Sequence, residues 1–351
     1  MRRDPVFVLH GFYGAGNFGD DWLLAATIAA VARIAPEARF VVRDLGDPVP
    51  LPPSPAIAFS HALAVLGDQR LSKPARVLRY LADAWRQLGG KDWLVFGGGT
   101  QFHGERRSAT LALNAALCLI ARARGVRVAA LGVGVKGIEG AWARALLRVI
   151  VGSARIFAVR DAQSQALAGP RAVLGADLAF TAPMPPPARR GEALALALYP
   201  PAWSDRLAEA IVSAVEGRGI VLLEVQRGGT TPGDAPALAT LAARLPAAER
   251  RRLTHDAEGL SGIGLVCGMR FHALLAAAQA GLPFVGIAHD PKIADLCARL
   301  AMPCLEPEAV TGARLAEAIA EAGSRAPSPE AVARCRAEAE RALDAFAEAM
   351  A

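Results

Sequence analysis

Arg270 and His272 stand two residues apart in the run Gly268-Met-Arg-Phe-His. An apolar, β-prone stretch precedes them, Ile263 to Cys267. A run of helix formers follows, with Leu274, Leu275 and Ala278 at helical spacing. The pattern predicts strand, tight turn and helix, with Gly281 ending the helix and Pro283 blocking its continuation. Arg270 and His272 then fall in the first turn of a helix running from Met269 to Ala280. Unsatisfied N–H groups and the helix dipole favour an anion there. Arg270 adds a bidentate clamp for phosphate or carboxylate, and His272 a proton that titrates near neutrality. An anion grip beside a proton donor is what transfer chemistry on a phosphorylated substrate needs. Taken alone, the two residues would equally make a solvated cap and a packed imidazole. The run His289-Asp290-Pro291-Lys292 shifts the balance. It brings three ionisable groups to the C-terminal end of the next strand, Phe284 to Ile287, where open α/β sheets hold their ligands.

Three more stretches have the residue types for a site. After a short strand from Val6 to His10 comes a Gly-rich loop, Gly11 to Asp21, with Asn17 in it and Asp20 as the expected N-cap of the next helix. Gly14, Gly16 and Gly19 match the dinucleotide-binding spacing, and Asp44 follows downstream. However, Gly14 arrives late after the strand, and two acids at the helix entry would repel a pyrophosphate. A loop lining a substrate is the better reading. The strand Trp93 to Phe96 runs into Gly97-Gly98-Gly99-Thr100, where glycines permit close backbone approach to a ligand. Gln101, His103, Arg106, Arg107 and Ser108 crowd the turn that follows. Arg160 ends another strand, which makes it a second candidate anion ligand; a pair with Asp161 that stabilises a helix start explains it equally well.

The elements that must position these residues read as strand alternating with helix throughout. Residues 57 to 90 read as an amphipathic helical stretch broken at Lys73-Pro74. Four prolines in Pro183 to Gly191 mark a stiff linker, after which a new α/β pattern begins. The expected organisation is an N-terminal α/β domain over 1–182, a linker over 183–191, a C-terminal α/β domain over 192–328 and a closing helix over 329–351. Two doubly wound, Rossmann-like α/β domains facing across a cleft follow from that alternation.

At 351 residues, 53% hydrophobic and 21% charged, the chain has ample core for both. Its net charge of +6 is spread out, with Arg supplying 35 of 39 cations, and no basic block with interleaved aromatics argues for nucleic acid. Five scattered cysteines without ligand spacing fit reduced thiols in the cytoplasm and no metal site. The uncharged run Phe271 to His289 is interrupted by His, Gln and Gly-Leu-Pro, so it reads as buried helix plus strand and not as a membrane span.

Taken together, these stretches resemble the polysaccharide pyruvyl transferase family. The resemblance rests on five motifs in order. They are Gly11-Phe-Tyr-Gly-Ala-Gly-Asn17-Phe-Gly-Asp20-Asp21, Gly97 to Thr100, Arg160-Asp161-x-x-Ser164, Gly268-x-Arg270-Phe271-His272 and Asp290-Pro291-Lys292. The resemblance implies a glycosyltransferase-B-like fold and transfer of a pyruvyl group from phosphoenolpyruvate to a sugar, usually as a ketal across two hydroxyls. Relatives of this shape often act on the wall polysaccharide that anchors surface-layer proteins. Phosphoenolpyruvate is then the donor substrate, with no further cofactor. Arg270 and Arg160 would hold its two anionic groups and Lys292 the departing phosphate. His272 would protonate the enol carbon, and Asp20 or Asp290 would take a hydroxyl proton. Asn17, Gly98, Gly99, Thr100 and His289 would line the site. His289 stands where relatives carry Tyr, and Gln101-Phe-His-Gly replaces their run after the glycines, which leaves the acceptor unspecified. The acceptor would be a glycan, lipid-linked if the enzyme works at the inner face of the membrane by peripheral association. The competing reading on the same fold is a nucleotide-sugar glycosyltransferase, for which Glu306 is a distant candidate ribose ligand. A dinucleotide-dependent oxidoreductase is a weaker alternative.

Overall fold

A computed structural model describes residues 4–51, 54–104, 109–228 and 233–351. The motif residues Arg106, Arg107 and Ser108, and part of the 227–236 loop, lie outside the described residues. The chain divides into two units. The first comprises Met1–Ala15, Asp20–Ala182 and Cys335–Ala351, and the second Gly16–Gly19 and Pro183–Arg334.

The first unit carries β1 (Val6–His10), most of α1 (Phe18–Ile34), β2 (Arg39–Arg43), β3 (Ile57–Phe59), α2 (Lys73–Leu88), β4 (Trp93–Gly97) and β5 (Phe102–His103). It continues with α3 (Ala109–Ala123), β6 (Arg127–Val133), β7 (Val135–Lys136), α4 (Gly140–Ser153), β8 (Ala154–Val159), α5 (Ala162–Ala168) and β9 (Val173–Leu174). Seven strands form one sheet in the order β3-β2-β1-β4-β6-β8-β9. The described pairings in it are all parallel. Strands such as Trp-Leu-Val-Phe-Gly are apolar on both faces because helices cover both. Leu94, Phe96, Val128 and Phe157 pack with Leu117 of α3 and Leu147 of α4 in one core cluster. Each such side chain contributes roughly 1.5–3 kcal/mol by leaving water.

The second unit repeats the plan with β10 (Ala193–Ala197), α6 (Asp205–Ala214), β11 (Ile220–Glu224), α7 (Ala235–Arg244), β12 (Glu249–Arg252), β13 (Ile263–Gly268), α8 (Phe271–Gln279), β14 (Phe284–Ile287), α9 (Pro291–Arg299), β15 (Cys304–Leu305) and α10 (Gly312–Gly323). Its sheet is also parallel, in the order β12-β11-β10-β13-β14-β15. The closing helix α11 (Pro329–Met350) contributes its residues up to Arg334 to the second unit and the rest to the first.

Both sheets reverse direction of winding next to their first strand. In the first unit this switch lies between β1 and β4, and in the second between β10 and β13. The backbone groups at the C-terminal ends of such strand pairs are splayed apart, which opens a crevice for a ligand. The Gly11–Asp21 loop and the Gly97–Thr100 turn leave the first switch point; Tyr199 and Arg270 leave the second.

Three local expectations are corrected. Residues 57 to 90 are not one broken helix: β3 and a single-turn 3₁₀ helix (Ala64–Gly67) come first. Pro74 opens α2 instead of breaking it, because a missing N–H costs nothing in the first turn, and the Ser72 side chain caps it by accepting from the Ala75 amide. Asp20 is not the N-cap of α1. Helix starts at Phe18, and Asn17 Oδ1 accepts from the Gly19 amide at 2.9 Å. Arg270 lies one step outside α8, as its N-cap with extended backbone (φ −96°, ψ 108°), so only His272 is in the first turn.

Candidate active site

Arg270 is a guanidinium held in place from several directions. Its Nε donates to the Leu198 carbonyl at 3.1 Å and Nη1 to Gln226 Oε1 at 3.3 Å. Nη2 pairs with the carboxylate of Asp234, a side chain with no exposure. The guanidinium carbon lies 4.8 Å from the ring centroid of Tyr199, and the imidazole of His289 stacks on that same ring at 4.4 Å. Asp234 is fixed in turn, since its Oδ2 accepts from the Val225 and Gln226 amides, both at 2.9 Å. Among the described residues, three of the five N–H donors of the guanidinium are thus engaged.

His272 is positioned by a glycine. The place a β-carbon would take on Gly19 is filled by the His272 ring: Nδ1 and Cγ would collide with it, and Cε1 would lie at 2.8 Å. The segment bearing Gly19 is sewn onto the second unit by backbone bonds. Phe18 donates to the Val225 carbonyl at 3.0 Å and Arg227 to the Gly16 carbonyl at 2.9 Å. Asn17 forms a backbone bridge to Gln226 and donates through Nδ2 to Gln226 Oε1 at 3.3 Å. Gln226 Oε1 therefore receives both Asn17 and Arg270. Residues far apart in the sequence, Asn17 and Gly19 on one side and Arg270 and His272 on the other, share one cluster.

The 289–292 loop supplies the neighbouring wall. Asp290 caps α9 by accepting from the Lys292 amide at 3.2 Å, and the Lys292 ammonium lies 3.9 Å from its carboxylate. A carboxylate committed to a cap and a cation is a poor proton acceptor, so Asp290 is better placed to hold Lys292 than to act as a base.

In the first unit a second group forms around Asp20, Gly98, Gly99 and Thr100. Gly98 and Gly99 have φ of +68° and +71°, a left-handed turn that side chains resist. A β-carbon on Gly99 would touch Asp20 Oδ1 at 3.3 Å. Tyr13 donates its hydroxyl to the Gly97 carbonyl at 2.8 Å, and burial, then the Asp20 charge, holds that phenol above its ordinary range. Arg160, the second candidate anion ligand, is paired inside the first unit. It is 5% exposed, donates to Thr100 Oγ1 at 2.7 Å and to Asp177 at 3.1 Å, and lies 3.6 Å from Asp161. Two carboxylates neutralise it, and its work is to fix Thr100 at the end of the glycine turn. Asp161 meanwhile caps α5 through the Ser164 amide at 2.7 Å.

Comparison with known proteins adds a family to this geometry. The model of the polysaccharide pyruvyl transferase family matches residues 17–230, well over half of the chain. The chain belongs to that family. No curated protein matches it in sequence. Among solved structures it is similar to UDP-GlcNAc 2-epimerase from Methanocaldococcus jannaschii, with 8% identity over 98% of this chain and 99% of that one and a TM-score of 0.63. It is also similar to UDP-GlcNAc 2-epimerase from Neisseria meningitidis bound to UDP-GlcNAc, with 9% identity over 99% of each chain and a TM-score of 0.58. The calicheamicin glycosyltransferase CalG4 aligns at 14% identity over 99% of this chain and 95% of its own, with a TM-score of 0.54. At such identities the likeness is one of fold: two Rossmann-like α/β domains with parallel sheets, a glycosyltransferase-B-like architecture.

The family match in this pyruvyl transferase family member ends before Arg270, His272 and the 289–292 loop, which therefore rest on geometry. Sequence reasoning missed Asp234, Gln226 and Tyr199, which lock Arg270. Asp234 lay in a Gly/Pro-rich run that reads as a plain loop, and only burial shows it to be a paired charge. It also missed a carboxylate–imidazole pair, Asp44 and His61, whose members are separated by a loop with no motif.

Proposed function

We propose that this protein transfers the pyruvyl group of phosphoenolpyruvate to a sugar of a glycan, closing a pyruvate ketal. The observation that carries the reading is the Arg270–His272 pair at the β10/β13 switch point of a chain in this family. The guanidinium of Arg270, at the N-terminal end of α8, takes one anionic group of the donor. Lys292 takes the phosphate as it leaves. His272 gives a proton to the CH₂ carbon, which makes C2 oxocarbenium-like, and a sugar hydroxyl attacks it. A second hydroxyl displaces phosphate, and its proton leaves with that group. In the first unit, Asp20, Gly98, Gly99 and Thr100 offer a carboxylate, a hydroxyl and open backbone that suit the hydroxyls of a sugar acceptor. His289 and Asn17 shape the donor side.

We place this activity in the cytoplasm, with peripheral attachment at the inner membrane face if the acceptor is lipid-linked, as for wall or surface polysaccharide. Among the described residues no helix is long and apolar enough to cross a membrane.

A second reading is a nucleotide-sugar enzyme on the same fold, and the structural relatives speak for it more directly than for the first. Two of those named above are UDP-GlcNAc epimerases and a third is a glycosyltransferase. Glu306 follows β15, the strand beside β14, which makes it the candidate ribose ligand of that reading. Thermal-shift titration separates the two. A ligand at about 100 times its Kd adds roughly 2.7 kcal/mol to the native state, or about 5–10 °C for domains of this size. Phosphoenolpyruvate is expected to give such a rise, saturably, and Arg270→Lys to blunt it. A rise with UDP-N-acetylglucosamine and none with millimolar phosphoenolpyruvate would replace the first reading by the second.

A further inference from the structure

One face of the first sheet is covered by α2, α3, α4 and α5. Val8, Leu94 and Phe96 point toward that layer and share a core cluster with Leu88 of α2, Leu117 of α3 and Leu147 of α4, with Leu167 of α5 packed on its edge. Phe7 and Trp93, on the alternate side of their strands, point the other way and meet Phe346 of α11. The outer surface of the layer is apolar where a solvated surface would carry charge. Tyr80, Ala84 and Leu88 are the buried stripe of α2. A second stripe, Leu78, Leu81, Ala82 and Trp85, stands at i, i+3, i+4 and i+7, the spacing of a packing face, yet Leu78 is 68% and Trp85 46% exposed. α3 packs against both α2 and α4 and has no charged residue from Ala109 to Ala121, although its Leu119 is 51% exposed. α4 adds Trp142, 65% exposed. Among the described residues, these helices hold five of the eight exposed large hydrophobic side chains. Such residues scattered singly are ordinary, but grouped on one layer they mark a binding surface.

The same layer gathers the charge of the chain. Its four helices contain seven cations and one acid, a net +6 that equals the net charge of all 351 residues, so the rest of the chain balances to zero. The one acid, Asp83, is paired with Arg86 on its own helix. Arg79, Arg122, Arg144 and Arg148 are exposed. Just past α3, the Arg124 guanidinium lies 4.9 Å from the ring centroid of Trp85, so a cation and an exposed indole already stand together. The opposite layer has the reverse sign: α11 and its ion-pair partner α1 together carry a net −3.

We propose that the outer surface of α2, α3 and α4 docks this protein on a membrane rich in anionic lipid, which rests on the membrane-side placement proposed above and not on the identity of the donor. Exposed Trp and Leu enter the boundary between headgroups and acyl chains, where indole rings are favoured, and the arginines stay with the lipid phosphates. Both halves of the surface are then satisfied by one partner. A second copy of the chain fits worse, because two such faces would set net +6 against net +6. Each arginine near an anionic membrane surface is worth roughly fivefold in partitioning, so three together are worth on the order of 100-fold.

The test floats the whole chain with vesicles of mixed phosphatidylglycerol and phosphatidylcholine, and with vesicles of phosphatidylcholine alone. Wild type is expected to bind the anionic vesicles, to release as salt rises and to ignore the neutral ones. Arg79→Gln/Arg144→Gln/Arg148→Gln is expected to bind about 100-fold more weakly. Arg218→Gln/Arg250→Gln/Arg314→Gln removes three exposed cations of the second unit and is expected to change little. Brominated lipid should quench tryptophan fluorescence in wild type and far less in Trp85→Phe/Trp142→Phe. No flotation, equal losses in the two arginine variants, or undiminished quenching in the tryptophan variant overturns the proposal. Sedimentation without vesicles reads the other occupants. A dimer that Leu78→Ser/Trp142→Ser dissociates gives the face to a second copy, and binding to polyglutamate but not to vesicles gives it to an acidic protein; both overturn membrane docking. The phosphoenolpyruvate thermal shift is measured on the same samples. Flotation without that shift sinks the donor reading alone, and the shift without flotation sinks the docking alone.

Discussion

Replacing Gly19 by Ala tests whether the N-terminal loop sets the position of His272. Gly19 is the second residue of α1, so its backbone is helical and accepts a side chain without strain. Ala in fact favours a helix over Gly by about 1 kcal/mol. The obstacle is steric. The new β-carbon would lie 2.8 Å from His272 Cε1 and closer still to Nδ1 and Cγ. Contact begins near 3.4 Å, so the ring has to retreat by roughly 0.6 Å to relieve Cε1 alone and by about 1 Å or more for Nδ1. Misplacing a reacting group by about 1 Å costs on the order of 10² in rate. The expected Gly19→Ala enzyme has kcat for phosphate release from phosphoenolpyruvate down about 100-fold. Its stability changes by the small difference between the propensity gain and an overpacking cost of roughly 1–3 kcal/mol. A double-mutant cycle isolates the contact. On a His272→Ala background the overpacking disappears, so Gly19→Ala should cost no further activity and should stabilise by about 1 kcal/mol. Wild-type kcat in the single variant, or additive losses in the double, would refute the idea that this glycine exists to admit the imidazole.

Removing Asp234 leaves the Arg270 guanidinium, only 11% exposed, without its counter-charge. Asp234→Ala is expected to cost about 3–5 kcal/mol, read from the urea midpoint; a cost under ~1 kcal/mol would mean the pair is not buried. Arg270→Ala strands the reverse charge, which is why Arg270→Lys is the better probe of binding. Burial, then the nearby Arg43 cation, pulls the His10 imidazole down to about 3. The unfolded state binds that proton first, so the stability linked to His10 is present above about pH 6.5 and is lost as pH falls toward 3. Unfolding at pH 5 should be easier than at pH 7 by about 2 kcal/mol from this residue, and His10→Gln should flatten the slope. Cys304 is exposed, and a hydrogen bond from Cys297 pulls its thiol below the ordinary range, while burial raises Cys118 and Cys267 to about 12. A native-state thiol titration should show one fast cysteine that Cys304→Ser removes, with the rest reacting only on unfolding.

The alternation of apolar strands with amphipathic helices, the proline-rich break before the second α/β run and the glycine turns after strands all follow from local rules of burial, φ and missing N–H groups. So the two-sheet α/β architecture was legible in the sequence, as was the emergence of Gly97–Thr100 and Arg270 at the ends of strands. Local reading failed where a short-range preference lost to a neighbour. Asp20 yielded the cap to Asn17, and Pro74 started a helix it was expected to break. Charge partnership was invisible altogether, because electrostatics acts through space and depends on burial. Arg160 and Arg270 look alike in sequence. One is spent on Asp177 and Thr100 inside the first unit, and the other is braced by Asp234 in the second. The same blindness hid the Asp44–His61 pair, whose members stand 17 residues apart, and Gly19, whose missing β-carbon has meaning only beside an imidazole some 250 residues later. The sequence by itself determined which chemical groups exist and at which strand ends they emerge. Only the tertiary structure decided which of them are neutralised, which are aimed and which are held ready, because pairing and desolvation are properties of proximity and not of order along the chain.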